Sequence, residues 1–196
     1  GKIIPKEILS LPKRGVLNVH PSLLPRLRGP SPVVGTILQE EKAGVTIMHL
    51  DEEMDHGPIV AQEEIEITDW PPYAPELEIT LAKCGGSLLA KILPDWILGN
   101  ISEKSQAHAE ATYTKKVRKE DAEINLNDDP ALNLRKIRAY AGWPNAYTFF
   151  STPSKTIRLV IKTADIIDGK LQLGKVIPEG KREMDFTEFV RGHQKN

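Results

Sequence analysis

The sequence predicts an α/β fold in two parts, with helices and short strands mixed in the N-terminal part and mainly strands and turns in the C-terminal part. The first part contains a long run of apolar residues at helical spacing, Tyr73–Leu98, and short alternating segments that are typical of strands. The second part contains two strand-like runs and the turn Asp168-Gly169, which is typical of a hairpin. These observations predict an α/β domain followed by a small β-rich domain.

The composition is that of a globular protein of one or two domains, with 196 residues of which 40% are hydrophobic. No run reaches the roughly 18 apolar residues that a membrane span needs, and the first residues lack the apolar region of a signal peptide. Cys84 is the only cysteine, which excludes a disulfide framework and a cysteine-based metal site. A cytoplasmic location is therefore expected.

Charge is divided unevenly along the chain, although the net charge is only −1. Residues 1–107 contain 10 Lys and Arg against 15 Asp and Glu, whereas residues 108–196 contain 16 against 12. A basic C-terminal part favours an anionic partner. The excess of positive charge in this part is modest compared with that of a nucleic-acid-binding domain of high pI.

The individual elements follow from proline positions, helical spacing and glycine turns. In the first part we expect a turn at 42–44, and a helix over 73–98 that Gly85-Gly86 loosens and Gly99-Asn100 ends. The other predicted helices cover 3–11, 31–38 and 130–140, and the predicted strands cover 15–20, 45–51, 58–67, 147–151 and 156–163.

Asn18 and His20 are two residues apart at the end of a predicted strand that Pro21 terminates. Side chains at that spacing share a face, so an amide donor lies beside a side chain that titrates near neutral pH. An isolated Asn-x-His pair more often only satisfies backbone groups at a strand end. The pair is therefore a candidate site whose support must come from elsewhere in the chain.

A second polar cluster, 51–58, contains four acidic residues followed by Gly57-Pro58. Such a run is most often a solvated turn. Asp55 differs from its neighbours because the turn after it can aim its carboxylate. A carboxylate near His20 would favour the imidazolium. Asn18, His20 and Asp55 would then suit acyl transfer, with an amide for a developing oxyanion and a histidine that moves protons.

The segments 18–25, 28–29, 44–46 and 54–59 together resemble the formyltransferases that use 10-formyltetrahydrofolate, in order, spacing and flanking residues. The C-terminal segments 111–113, 119–122, 138–146 and 178–184 resemble the branch of that family whose acceptor is methionyl initiator tRNA. The resemblance extends over nearly the whole chain.

The resemblance implies a fold, a reaction and a set of site residues. The fold would be the C-terminal half of a Rossmann-like formyltransferase domain followed by a small OB-like domain that is short of one hairpin. The family's catalytic residues fall on Asn18, His20 and Asp55, with Asp55 keeping His20 charged or relaying a proton. No metal is implied. The residues implied to bind the formyl donor are Ser22, Leu23, Leu24, Pro25, Gly29, Met54 and Gly57.

The acceptor implied is aminoacylated initiator tRNA, and basic residues near the domain junction are expected to contact it. Without the resemblance, they would be taken as ordinary solvated side chains. Phosphate contacts need positive charge more than a fixed geometry. The predicted tRNA-binding residues are Lys115, Lys116, Arg118, Lys119, Arg135 and Arg138.

The predicted boundaries are a partial catalytic domain over 1–101, a linker over 102–113 and a tRNA-binding domain over 114–196. Compared with the family, the chain is expected to be truncated at its N-terminus and to self-associate through an exposed sheet edge. Two alternatives remain open. One is a sugar-nucleotide N-formyltransferase, and the other is an inactive fragment that acts only as a binding module.

Overall fold

The computed structural model describes residues 4–152 and 155–194, which divide into two compact units. The first unit contains the residues up to Trp70 together with Glu76–Lys116. The second contains Pro71–Pro75 and the residues from Val117 onward. The division agrees with the predicted fold class, a helix-and-strand part followed by a β-rich part, and the predicted domain boundaries stay predictions.

The first unit is built on a three-stranded antiparallel sheet with strand order β1-β2-β3. The predicted turn at 42–44 is wrong in part, because Ala43 and Gly44 already belong to β2. Their pairing with β3 extends the strand by two residues beyond the β-branched run. The strands are β1 (Leu17–His20), β2 (Ala43–His49) and β3 (Ile59–Ile65), and the helices are α1 (Lys6–Leu9), α2 (Pro32–Gln39) and α3 (Ala74–Leu98).

Strand β2 is the centre of the first unit's core. Val45, Ile47 and Met48 are completely buried, which is typical of a strand that is covered on both faces. Its register with β1 places His20 opposite Thr46 and Asn18 opposite Met48. The two polar residues of β1 are thereby held against the most buried strand of the unit.

Helix α3 is continuous through Gly85-Gly86, so the expected loosening of its middle is wrong. Gly85 is buried beside β1, and a Cβ at this position would lie 2.4 Å from Cγ1 of Val19. The glycine thus permits close packing of helix on strand. The predicted end is confirmed, since Gly99 has a φ of 79° and its N–H donates to the carbonyl of Trp96.

The segment 102–113, expected to be a linker, is hydrogen-bonded to the first unit at both of its ends. Lys104 forms a β-bridge with Ile59, and Tyr113 forms one with Arg28. The segment therefore lies along β3 and the loop after β1 as an ordered part of this unit.

Among its described residues, the second unit contains a four-stranded antiparallel sheet, a two-stranded hairpin, two α-helices and the short 3₁₀ helix Glu120–Ala122. The hairpin turn is confirmed at Asp168-Gly169, where both residues have positive φ. One cluster of apolar side chains packs α4 against the hairpin, and another packs α5 against the larger sheet. The elements are α4 (Pro130–Ala139), β4 (Tyr147–Ser151), β5 (Thr156–Ile161), β6 (Ala164–Ile167), β7 (Lys170–Leu173), β8 (Lys175–Pro178), β9 (Met184–Asp185) and α5 (Phe186–Gln194).

Within the described ranges, no helix combines the length and the apolar character that crossing a membrane requires.

Candidate active site

His20 is the last residue of β1, and its imidazole is buried. Its Nε2 lies 3.1 Å from the backbone carbonyl oxygen of Leu27. A carbonyl can only accept a hydrogen bond, so Nε2 carries the hydrogen. In the neutral ring the lone pair is then on Nδ1, which makes Nδ1 the atom available for proton transfer.

Nδ1 of His20 faces the carboxylate of Asp55, with 3.6 Å between Nδ1 and Oδ1. The other carboxylate oxygen, Oδ2, accepts the backbone N–H of Gly29 at 2.7 Å. Asp55 has a φ of 50°, a conformation that non-glycine residues seldom adopt and that is common at functional sites. The structure thus brings His20 and Asp55 together, whereas their catalytic roles stay predictions.

The turn after Asp55 depends on a close backbone approach at Gly57. A Cβ on Gly57 would lie 1.9 Å from the carbonyl oxygen of His49, so a side chain has no room here. The next residue, Pro58, accepts the N–H of His49. Gly57-Pro58 thus joins the acidic loop to the end of β2, which supports the prediction that this turn aims Asp55.

The pKa of His20 is lowered from its ordinary value, because burial of the ring disfavours the charged form. Asp55 and the Leu27 carbonyl act in the opposite direction, while the Arg28 guanidinium adds to the lowering. Burial therefore outweighs the carboxylate, and this direction does not support the expectation that Asp55 keeps His20 charged. The alternative role of Asp55, the relay of a proton, stays a prediction.

A cavity of about 510 Å³ opens beside this pair. Asn18 and Asp55 line it, and the side chain of Asn18 makes no hydrogen bond to any residue that the structure describes. An amide donor is thus available next to the His20–Asp55 pair. The other lining residues are Ile4, Leu9, Gly29, Pro30, Leu50, Asp51, Glu52, Glu53 and Met54.

The predicted donor-binding residues divide into two groups. Gly29 and Met54 line the cavity, whereas the other five are not among its lining residues. In the loop after β1, Ser22 is buried and its hydroxyl donates to the carbonyl of Arg26 at 2.8 Å. The five residues away from the wall are Ser22, Leu23, Leu24, Pro25 and Gly57.

Sequence reasoning missed Gln106 and gave Arg28 no role in the site. Both side chains are buried, and they are hydrogen-bonded to each other. Gln106 also contacts the backbone of the loop that contains Asp55. No local signal marks Gln106, because it occurs in a polar segment that is typical of a linker.

The predicted tRNA-binding residues differ in exposure. The four basic residues of the run 115–119 are all exposed, and Arg135 is half-buried. Arg138 is a correction: it is buried, and its guanidinium donates to the Pro71 carbonyl at 2.6 Å and to Asp165 at 3.1 Å. A side chain so engaged contributes to the structure of the second unit and is removed from the predicted tRNA contacts.

Among residues 4–152 and 155–194, no group of three or more His, Cys, Asp or Glu side chains is arranged to hold a metal ion.

Residues 1–93 match the family described as formyl transferase. The methionyl-tRNA formyltransferase from Clostridium thermocellum superposes with a TM-score of 0.68 at 23% identity, over 91% of this chain and 74% of that chain. A 4-N formyltransferase from Francisella tularensis superposes with a TM-score of 0.66 at 26% identity, over 84% and 68%. The fold is thus that of the formyltransferases.

Sequence relatives indicate which family of formyltransferases the chain belongs to. The methionyl-tRNA formyltransferase of Chloroflexus aurantiacus is 44% identical over 84% of this chain, and the chain spans only 54% of that relative. The methionyl-tRNA formyltransferase of Thermodesulfovibrio yellowstonii is 34% identical over 100% of this chain and 69% of that relative. The chain belongs to the methionyl-tRNA formyltransferase family.

Proposed function

We propose that the chain takes part in transferring a formyl group from a tetrahydrofolate-type donor to the amino group of methionyl initiator tRNA, in translation initiation. The observation that carries this proposal is the approach of the buried His20 to Asp55, which lines a ligand-sized cavity together with Asn18. The cavity wall thus offers a carboxylate and an amide donor with a base directly behind the carboxylate, which is the set that acyl transfer to an amine needs.

The cavity fits a donor of the folate type. Its volume of about 510 Å³ lies within the range of small-molecule sites. Leu9, Leu50 and Met54 offer apolar surface to an aromatic ring, and Asn18 offers polar atoms beside it. Two solved formyltransferase-like structures support this class of ligand: a Helicobacter canadensis N-formyltransferase in complex with folinic acid, and HypX from Aquifex aeolicus in complex with tetrahydrofolic acid.

A bound 10-formyltetrahydrofolate supplies a formyl carbon that bonds to the acceptor nitrogen as its bond to the folate nitrogen breaks. The Asn18 amide can donate to the formyl oxygen, where negative charge develops in the transition state. Nδ1 of His20 carries the lone pair and can accept the proton that the amine loses. Asp55 stabilises the imidazolium that then forms. The imidazolium gives this proton to the folate nitrogen as the bond between that nitrogen and the formyl carbon breaks.

The acceptor is the part of the proposal for which two candidates exist. The named relatives favour methionyl-tRNA, and the exposed basic run 115–119 is consistent with a nucleic-acid acceptor. A sugar N-formyltransferase from Shewanella superposes with a TM-score of 0.66 at 25% identity, over 85% of this chain and 68% of that chain. An amino-sugar nucleotide is therefore the second candidate.

Transfer of a labelled formyl group to each acceptor tests the proposal. We expect formylated methionyl-tRNA and no more than trace product with an amino-sugar nucleotide. The reverse preference would favour the second candidate. Binding of folinic acid, measured by calorimetry, without transfer to either acceptor would support a binding module instead.

Self-association through a sheet edge and a cytoplasmic location stay predictions.

A further inference from the structure

Gln106 is 5% exposed, and all the hydrogen-bonding capacity of its side-chain amide is used. Its Oε1 accepts from Nε and Nη2 of Arg28, at 3.2 and 2.6 Å. Its Nε2 donates to the backbone carbonyls of Asp55 and Gly57, at 3.0 and 2.6 Å. An amide has two donor hydrogens and an oxygen with two lone pairs, so this arrangement is saturated.

Arg28 anchors the side chain of Gln106 because Arg28 is itself held in place. The guanidinium is almost completely buried, and it also donates to Nδ1 of His108 at 2.9 Å and to the hydroxyl of Tyr113 at 3.3 Å. Its backbone is bonded on both sides, because its N–H donates to the Thr112 carbonyl and its carbonyl accepts the N–H of Thr114. Gln106 is therefore anchored at one end and holds the acidic loop at the other.

The loop that Gln106 holds is the one with the unusual backbone. Asp55 has a positive φ, a conformation that costs free energy unless its surroundings fix it. The carbonyl of Asp55 belongs to the same residue whose carboxylate faces His20 at 3.6 Å. A shift of the loop would change that distance directly, and displacements of about 1 Å reduce catalytic rates by about 100-fold.

We propose that Gln106 is a positioning residue for the His20–Asp55 pair. It is not among the residues that line the cavity, and it acts by fixing the backbone from which the Asp55 carboxylate projects. The kinetic part of this inference rests on the proposed function, whereas the structural part does not. Only an amide can accept from Arg28 and donate to two carbonyls at once, so neither glutamate nor methionine replaces it.

The structural part is tested by titrating the His20 imidazole with NMR in four proteins. These are the parent, Asp55→Asn, Gln106→Met and the double variant, with His20 assigned by its absence from a His20→Asn spectrum. In the parent background, loss of the carboxylate lowers the midpoint of His20, because Asp55 favours the charged ring. In the Gln106→Met background, we expect that shift to shrink by about half or more. An unchanged shift overturns the proposal.

The kinetic part uses the same four proteins. Gln106→Met should lower kcat by about 10- to 100-fold while KM changes little. In the Asp55→Asn background it should lower kcat no further, because the group that it positions is already gone. Independent, multiplying effects would overturn the proposal. A parent protein that transfers no formyl group refutes the proposed function alone, and the NMR coupling then decides about Gln106.

Two further variants separate positioning from stability. Gln106→Glu still accepts from Arg28 but cannot donate to the loop, so it keeps the anchor and should lose the His20–Asp55 coupling. Gln106→Glu replaces Gln106→Met in both tests if Gln106→Met does not fold. Asn133→Ala removes a buried amide of the second unit, which donates to the Asn125 carbonyl at 2.8 Å. It should lower the melting temperature and leave kcat unchanged. An equal fall in kcat there would overturn the proposal.

Discussion

Nδ1 of His20 lies 3.6 Å from one oxygen of Asp55, and the other oxygen of Asp55 accepts the N–H of Gly29. Nε2 of the same ring donates to the Leu27 carbonyl. The ring therefore has a fixed tautomer and a defined face toward the carboxylate. A buried imidazole held in this way can take a proton at Nδ1 without first changing its orientation.

Removal of the Asp55 charge is the first test of this pair. Asp55→Asn should lower the rate of formyl transfer by about 10²–10⁴-fold, the usual contribution of an acid–base partner. The Gly29 N–H can still donate to the new amide oxygen, so thermal unfolding should change little. The control is Glu64→Gln, which removes an exposed carboxylate paired with Lys42 and should leave the rate unchanged. Equal rates for parent and Asp55→Asn would refute the assigned role.

The lowered pKa of His20 makes folding stability depend on pH. The unfolded chain binds a proton at His20 near the ordinary value of 6.5, while the folded chain binds it only at a lower pH. The stabilising contribution is therefore complete above about pH 6.5, and it is lost as the pH falls from there toward the folded pKa. We expect His20→Asn to flatten this part of the stability curve, measured by thermal unfolding from pH 8 to pH 5. Parallel curves for the two proteins would contradict it.

Much of this arrangement can be predicted from the sequence because its signals are local. Strand alternation places Asn18 and His20 on one face, and a proline and a glycine fix the turn after Asp55. The meeting of His20 with Asp55 follows from family resemblance and is present in the structure. What local patterns cannot supply is the degree of burial, which lowers the pKa of the His20 ring by more than Asp55 raises it.

Gln106 was beyond local reasoning for a related reason. Its partners are 49, 51 and 78 residues away along the chain, so nothing near it in the sequence indicates a role. For Arg138, the opposite error occurred, because a residue predicted to bind tRNA has a structural role. Its positive charge near the domain junction placed it among the predicted tRNA contacts, but the guanidinium is buried against Pro71 and Asp165.

Two adjacent glycines of α3 give a matched test of packing. Gly86 is exposed, and a Cβ there would meet nothing within 4 Å. Gly86→Ala should therefore stabilise the protein by about 0.5–1 kcal/mol through helix propensity. Gly85→Ala gains the same propensity but drives a Cβ to within 2.4 Å of the stiff side chain of Val19. Since overpacking costs about 1–3 kcal/mol, we expect net destabilisation. Similar denaturant midpoints for both variants would contradict the close packing of α3 on β1.

A nucleic-acid acceptor is expected to contact the exposed basic run 115–119. Lys115, Lys116, Arg118 and Lys119 are exposed, and each can contact a phosphate without a fixed geometry. Changing all four to Gln should weaken tRNA binding and reduce the slope of log K against log salt, by about 0.7 to 0.9 for each phosphate that is no longer neutralised. The matched control changes Lys13, Lys83, Lys91 and Lys170 to Gln, which removes the same charge from other positions. If binding depended only on net charge, both variants would show the same smaller slope. A slope that falls only in the first variant, measured by filter binding at several salt concentrations, locates the tRNA contacts in the run 115–119.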